Sequence, residues 1–166
     1  MLPESISIRT LWGVLRKVPG YFLRRHFPPE RLADLIYFDL QPRHDSAVVN
    51  LGPAAFFQLR LQIINLSPVD VELDRATLCF WCGGATFDIN YQERQTIQPS
   101  GIASIQVRGL IPDGHANQIS VHGNSNSSAL SGSVEFNCKV HPFKKRLFHL
   151  DGINAKFYNA PARSNA

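Results

Sequence analysis

Apolar and polar residues alternate along most of the chain beyond residue 46. Phe57, Leu59, Leu61 and Ile63 are separated by single polar residues, which is the pattern of a strand that buries one face. The same period of two recurs several times before the C-terminus. The predicted strands cover residues 57–63, 71–82, 85–91, 102–108, 118–122, 134–140, 147–150 and 153–158.

Turn residues separate these strands at fairly regular intervals. Gly83-Gly84, Pro99-Ser100-Gly101 and Pro112-Asp113-Gly114 each interrupt the alternation, and residues 65–70 (NLSPVD) have turn composition. No helical pattern is visible between the strands, which disfavours a parallel sheet. About seven short strands with turns between them are typical of an all-β antiparallel sandwich or barrel.

The first forty residues follow a different pattern. Residues 10–18 place four apolar side chains on one helical face, and Pro19-Gly20 ends this short helix. A second short helix is predicted after Pro28 and Pro29, although its tail, residues 36–40 (IYFDL), also has strand composition. We therefore expect an N-terminal extension in residues 1–38, a sandwich domain in 39–158 and a flexible tail in 159–166.

The positive charge is concentrated at the N-terminus. The formal net charge is +4, and residues 1–31 contain six basic and two acidic residues, whereas the remainder sums to zero. A basic segment of this kind favours contact with anionic lipid, nucleic acid or an acidic protein. The first residues lack the pattern of a secretory signal. The odd number of cysteines, three, fits a reducing compartment, so we expect a cytoplasmic protein with peripheral attachment to a membrane as a variant.

Aromatic and basic residues are interleaved within this N-terminal arm, residues 9–27. Such a mixture suits a bilayer interface, where rings lie among headgroups and arginines pair with phosphates. It would also suit nucleic acid, by stacking and phosphate contact, or docking onto the chain's own domain. The predicted contact residues are Trp12, Arg16, Lys17, Tyr21, Phe22, Arg24, Arg25 and Phe27.

Two cysteine-containing pairs have the spacing of metal ligands. Cys79 and Cys82 form a CxxC pair, and Cys138 and His141 form a CxxH pair, so the four together would make a structural zinc site. Against this alternative, residues three apart in a strand point to opposite faces. Free cysteines are also commonly buried. We therefore predict no metal or other cofactor and keep the zinc-stabilised domain as a second alternative.

Catalytic patterns are not apparent in the sequence. There is no GxSxG nucleophile elbow, no HExxH pair and no phosphate-binding loop, since no lysine and helix follow Gly83-Gly84. We therefore predict that the chain is not an enzyme and that it has no small-molecule substrate. Lys144-Lys145-Arg146 form a compact basic cluster, which could contact phosphates or protect a sheet edge from pairing with other strands.

The order of these signals resembles the WHy-type (water stress and hypersensitive response) domain of late-embryogenesis-abundant proteins. The resemblance covers residues 39–152 and rests on three segments. They are Asn65 followed by Pro68 at the end of a strand, Ile97-Gln98-Pro99-Ser100-Gly101, and Leu130-Ser131-Gly132. It implies an all-β, antiparallel immunoglobulin/fibronectin-like β-sandwich with short N-terminal helices and no catalytic residues. It also implies a role in stress or defence beside a membrane.

Together these patterns favour a non-catalytic binding or scaffold module. We expect an unidentified protein partner, with the basic arm holding the module near an anionic membrane surface. The alternative is a nucleic-acid-binding protein that uses the arm and residues 144–146, whose binding would weaken steeply with salt.

Overall fold

The computed structural model describes residues 20–41, 46–122 and 128–160. Three helices and ten strands are formed by these residues. The helices are α1 Gly20–His26, α2 Pro29–Asp34 and α3 Asp113–His122. The strands are β1 Ile36–Leu40, β2 Ala47–Asn50, β3 Phe56–Asn65, β4 Val71–Cys82, β5 Ala85–Tyr91, β6 Gln95–Ile97, β7 Ile102–Leu110, β8 Ser128–Cys138, β9 Phe143–Ile153 and β10 Lys156–Tyr158.

The strands form two five-stranded sheets that pack face to face. In the first sheet β3 pairs antiparallel with β7 along one edge, while β1 and β2 lie end to end along its other edge. Strand β10 then pairs parallel with β2. In the second sheet β8 and the end-to-end pair β5 and β6 flank β4, and β9 is the outer neighbour of β8. The predicted all-β sandwich of the immunoglobulin/fibronectin type is confirmed.

The core lies between the sheets and is filled by the inward residues of each alternating strand. Phe57 of the first sheet meets Phe80 and Phe87 of the second, with ring centroids 5.4 and 5.0 Å apart. All three rings are buried. Such tilted aromatic pairs contribute about 0.5–1.5 kcal/mol beyond their buried area, so this cluster helps to fix how the two sheets pack.

Asn65 connects three parts of the sandwich at the end of β3. Its buried amide nitrogen donates to the carbonyls of Val69 and Ile97, at 2.8 and 2.9 Å. Its amide oxygen accepts from the backbone N–H of Ser67 at 2.9 Å and from the Ser67 hydroxyl at 2.6 Å. Every donor of this side chain is therefore used, and the amide joins the 65–70 turn to β6.

Two segments of the chain differ from the pattern-based expectation. Residues 118–122 were predicted as a strand but belong to α3, so the prediction was wrong there. Only Ile119 of that helix is buried, and a single buried residue leaves little helical periodicity to detect. Residues 36–40 form β1 rather than the end of a helix, because Ile36 and Phe38 face the core with a period of two. Strand β1 thus begins three residues before the predicted domain start at 39.

Candidate functional site

Strand β9 forms an outer edge of the second sheet, and α2 packs against it. Lys145 lies opposite the buried Val134, so its side chain points toward the inside of the sandwich. Its amine donates to the carbonyl of Ala33, in the last turn of α2, at 2.9 Å. An inward lysine on an edge strand is a device that prevents pairing with foreign strands, and here it also caps the helix.

The environment of Lys145 changes its acidity. Partial burial lowers the pKa of this amine from its ordinary value, and Asp34 nearby acts in the opposite direction. The lowering shows that burial of the charged amine outweighs its attraction to Asp34. Lys145 is therefore a fixed structural contact between α2 and β9 rather than a mobile surface charge.

The neighbours of Lys145 point outward. Lys144 lies opposite Glu135 and its amine is 3.3 Å from that carboxylate, which also pairs with Arg75 at 3.5 Å. Arg146 is exposed. Within the described residues it has no ion-pair partner. The predicted basic cluster is therefore divided by strand alternation into one inward residue and two outward ones, of which Arg146 is available to bind an anionic group.

A groove of about 870 Å³ lies between α2 and β9. Phe38, Leu147 and Leu150 give it apolar lining, and side chains of both charges surround them. Five of the ten lining residues are charged, so the groove is a mixed surface on which charged groups as well as apolar contacts would position a bound molecule. The lining residues are Pro29, Glu30, Ala33, Asp34, Phe38, Lys144, Lys145, Arg146, Leu147 and Leu150.

Two irregularities in β9 shape the groove. Gly132 lies opposite Leu147 and Leu130 opposite Leu150, so β9 contains one extra residue between these pairs. A second shift lies between Leu130 and Ser128, where Gly152 has a positive φ of 69°. Such bulges bend an edge strand and interrupt its hydrogen-bonding ladder. A ligand in the groove would therefore meet side chains more readily than a continuous strand edge.

The N-terminal arm is only partly within the described residues. Trp12, Arg16 and Lys17 lie outside them, as does the side chain of Tyr21. In α1, Leu23 is 2% exposed and belongs to the core, whereas Phe22 is 53% exposed.

The remaining predicted arm residues lie on or just after α1. Arg24 and Arg25 are exposed, and the guanidinium of Arg31 lies 5.2 Å from the centroid of the half-buried Phe27 ring. Arg31 also donates to the carbonyl of His26 at 3.1 Å. The described part of the arm thus packs on the sandwich through Leu23 and keeps two arginines in solvent.

The structure separates the four residues of the zinc alternative. Cys82 faces the core and Cys79 the outer surface of the second sheet, as alternation requires. Cys138 is opposite Val71, at the far end of β4, which places it roughly 36 Å from Cys82 at about 3.3 Å per residue. Within the described ranges no three histidine, cysteine or acidic side chains are grouped to hold a metal.

The cysteines instead have structural surroundings. The Sγ of Cys138 donates to the carbonyl of His141 at 3.1 Å and accepts from its N–H at 3.4 Å, which closes the turn after β8. Burial raises the pKa of the Cys82 thiol, and the neighbouring Ser128 hydroxyl partly offsets the rise. A raised pKa reduces the thiolate fraction and hence the reactivity of Cys82.

The α2–β9 groove was not predicted from the sequence. The contact that forms it joins Lys145 to Ala33, 112 positions apart, and no local pattern reports such a distance. The sequence contains one signal for this contact. Lys145 occupies an alternate position of β9 between the apolar residues Phe143 and Leu147, so strand alternation places it on their side of the sheet.

In the part of the chain that is described, no helix is both long and apolar enough to span a bilayer.

Several known structures are similar to this chain at low sequence identity. Northeast Structural Genomics Consortium target SoR45 aligns with a TM-score of 0.51 and 11% identity, over 81% of this chain and 94% of its own. A protein assigned to the late embryogenesis abundant (LEA) group gives a TM-score of 0.41 and 9% identity, over 89% of both chains. The PapD-like domain 7 of human CEP192 gives 0.35 and 16%, over 74% of this chain and 86% of its own.

Among these three, the likeness to SoR45, at a TM-score of 0.51, supports the fold and no more. No family model matches the chain, and no curated protein matches it either. A structure of the LEA group is among the similar ones, while membership of the WHy-type family stays a prediction.

Proposed function

We propose that this chain is a non-catalytic binding module whose α2–β9 groove takes an extended segment of a protein partner. The observation that carries the proposal is the groove itself, with apolar side chains inside it and the exposed Arg146 on β9. Buried contacts between apolar side chains supply affinity, and a charge at the rim supplies orientation. The stress- or defence-related role implied by the WHy resemblance belongs to this same proposal.

The chemistry of the groove specifies the segment. Leu150, together with the small exposed portions of Phe38 and Leu147, would contact apolar side chains of the partner, and Arg146 would pair with an acidic residue beside them. The bulges of β9 and the Lys145–Ala33 contact limit strand addition at this edge. We therefore expect recognition by side chains, from a short acidic and apolar motif.

Selection from a random library of linear peptides displayed on phage tests this proposal. Peptides that combine an acidic residue with apolar residues should be enriched, and synthetic copies should bind Arg146→Glu at least about tenfold more weakly than wild type, as expected for a lost charge-assisted contact. The matched control is Arg94→Glu, an exposed arginine outside the groove, which should bind like wild type. Peptides that bind Arg146→Glu and wild type equally would show that the groove is not the site.

A second candidate function is contact of the arm with an anionic membrane. The outward side chains Arg24 and Arg25 and the exposed ring of Phe22 favour it. Each basic residue near such a surface contributes about 1 kcal/mol, so Arg24→Glu/Arg25→Glu should weaken binding to phosphatidylserine vesicles by roughly thirtyfold or more. Co-sedimentation with phosphatidylserine and with phosphatidylcholine vesicles measures this. Equal sedimentation of wild type and variant would exclude an electrostatic anchor at these residues.

A further inference from the structure

The outer face of the first sheet has a composition that neither the groove nor the arm explains. We use the name outer face for the side chains of β1, β2, β3, β7 and β10 that alternate away from the core. Strand register arranges them in rows across the sheet. The end rows hold most of the apolar and aromatic side chains of the face, and the rows between them are mainly polar, with Val48 among them.

The two ends carry exposed rings and aliphatic side chains. At one end Tyr158, Asn50, Phe56 and Leu110 are cross-strand neighbours, and Leu110 is 78% exposed. Along β3 the two end rows are separated by the stretch from Phe56 to Ile64. This stretch is about 26 Å long at about 3.3 Å per residue. That opposite row consists of Tyr37, Ile64 and Ile102.

Arginine and amide groups fill the middle of the outer face. Arg60 lies opposite Gln106, and Gln58 lies opposite Arg108, so the two arginines are diagonal neighbours roughly 7–8 Å apart at their Cα atoms. The guanidinium of Arg108 is 3.9 Å from the centroid of the Phe56 ring. This cation–π contact holds the guanidinium at the surface of the sheet.

The charge of the outer face is positive. Arg60, Arg108 and Lys156 belong to it, and among its described residues Asp39 is the one acid. The carboxylate of Asp39 accepts a hydrogen bond of 2.6 Å from the Tyr37 hydroxyl, and this contact helps raise the pKa of that phenol. A polyanion would therefore meet an attractive surface across the two adjacent rows that hold Arg60, Arg108 and Lys156.

We propose that the outer face binds single-stranded RNA. Unpaired bases stack on aromatic rings and arginine planes, while arginines pair with phosphates. The amides of Gln58 and Gln106 provide donors and acceptors for base edges and for the 2′-hydroxyl, which distinguishes RNA from DNA. The extent of the face, about 26 Å along β3, accommodates several nucleotides.

Fluorescence anisotropy with labelled 12-nucleotide poly(U) and poly(A) tests the proposal, using the full chain over a range of NaCl concentrations. Arg60→Gln/Arg108→Gln should weaken binding at least about tenfold. It should also make the slope of log K against log [salt] shallower by about 1.4, since each phosphate contact on a single strand contributes about 0.7. Circular dichroism checks that the variant remains folded.

Two matched variants locate the RNA. Arg75→Gln/Arg94→Gln removes two exposed arginines on the side of the second sheet, and Arg24→Gln/Arg25→Gln removes those of α1. Both should bind RNA within twofold of wild type, as should the groove variant Arg146→Glu. Loss of binding in the α1 variant alone would place RNA on the arm and overturn the proposal.

Three further outcomes are decisive. Unchanged affinity in Arg60→Gln/Arg108→Gln would refute the outer face as the site. Absence of RNA binding by wild type at low salt would refute it as well, and poly(dT) bound as tightly as RNA would refute the choice of RNA. Because the groove variants are measured separately with peptides, failure here leaves the protein-binding proposal intact.

Discussion

Substitution of Asn65 provides a sharp test of how this sandwich is held together. Asn65→Ala removes four buried hydrogen bonds, two donated to the carbonyls of Val69 and Ile97 and two accepted from Ser67. Each net contribution is about 1 kcal/mol, and more where a buried partner is left unsatisfied. We expect the free energy of unfolding to fall by about 3 to 4 kcal/mol, because the Ser67 N–H loses its acceptor.

Asn65→Asp separates the donors of the amide from its acceptors. The carboxylate can still accept from Ser67, but it places an oxygen against the carbonyls of Val69 and Ile97. The folded protein therefore favours the protonated acid, and the pKa of Asp at this position should rise above the ordinary value of about 3.9. Stability is then present below the unfolded pKa and lost as pH rises through the folded pKa, so the variant should be closer to wild type at pH 4 than at pH 7.

Urea denaturation monitored by circular dichroism at pH 4 and pH 7 measures both effects. Asn90→Asp is the matched control, since Asn90 is exposed on β5, and surface changes of this kind usually alter stability by less than about 0.5 kcal/mol. A loss below about 1 kcal/mol in Asn65→Ala would refute the assigned role of the amide. An Asn65→Asp deficit that is equal at the two pH values would refute the electrostatic argument.

Three other predictions follow from the second sheet. Gly132→Ala should destabilise the fold by several kcal/mol in the same urea assay, because the φ of Gly132 is +137° and a Cβ would lie 2.3 Å from the Thr77 carbonyl oxygen. A variant as stable as the wild type would contradict the close approach of β8 to β4. The pKa of Lys145 is lowered in the fold, so the unfolded chain binds more protons between the folded pKa and the unfolded value of about 10.5, and the free energy of unfolding should rise with pH through that interval relative to Lys145→Met. A difference between the two proteins that stays constant from about pH 8 to 11 would disprove the lowered pKa. The Cys82 thiol should react with Ellman's reagent only upon unfolding, since it is buried and its pKa is raised, and rapid labelling of Cys79→Ser/Cys138→Ser in native buffer would disprove this.

Local periodicity determined how much of the fold could be predicted. Strands β3 and β5 alternate between buried and less buried residues along their length, so sequence alone located them within one or two residues. Helix α3 was missed because its surface is largely polar and only Ile119 enters the core. Residues 36–40 were ambiguous, because Leu32 and Ile36 satisfy a helical spacing while Ile36 and Phe38 satisfy a strand spacing.

The candidate sites were harder to predict for a different reason. The alternation of side chains along a strand predicted that Cys79 and Cys82 would face opposite sides of the sheet, and the structure places them on opposite sides. The groove depends on the meeting of α2 with β9, and the outer face depends on the order of strands across the first sheet. Both are properties of long-range pairing, which a single sequence does not encode in any local window.

The long-range closure of this sandwich has a consequence for its synthesis on the ribosome. The amine of Lys145 reaches a carbonyl 112 positions earlier, and the amide of Asn159 reaches Asn50 across 109 positions. A growing chain therefore exposes the edge of β2 and the face of α2 that packs on β9 until residues 143–159 have been made. Because such distant pairings form slowly and leave apolar surface open in the meantime, nascent chains truncated before residue 143 should require chaperone protection, whereas chains that include β9 and β10 should not.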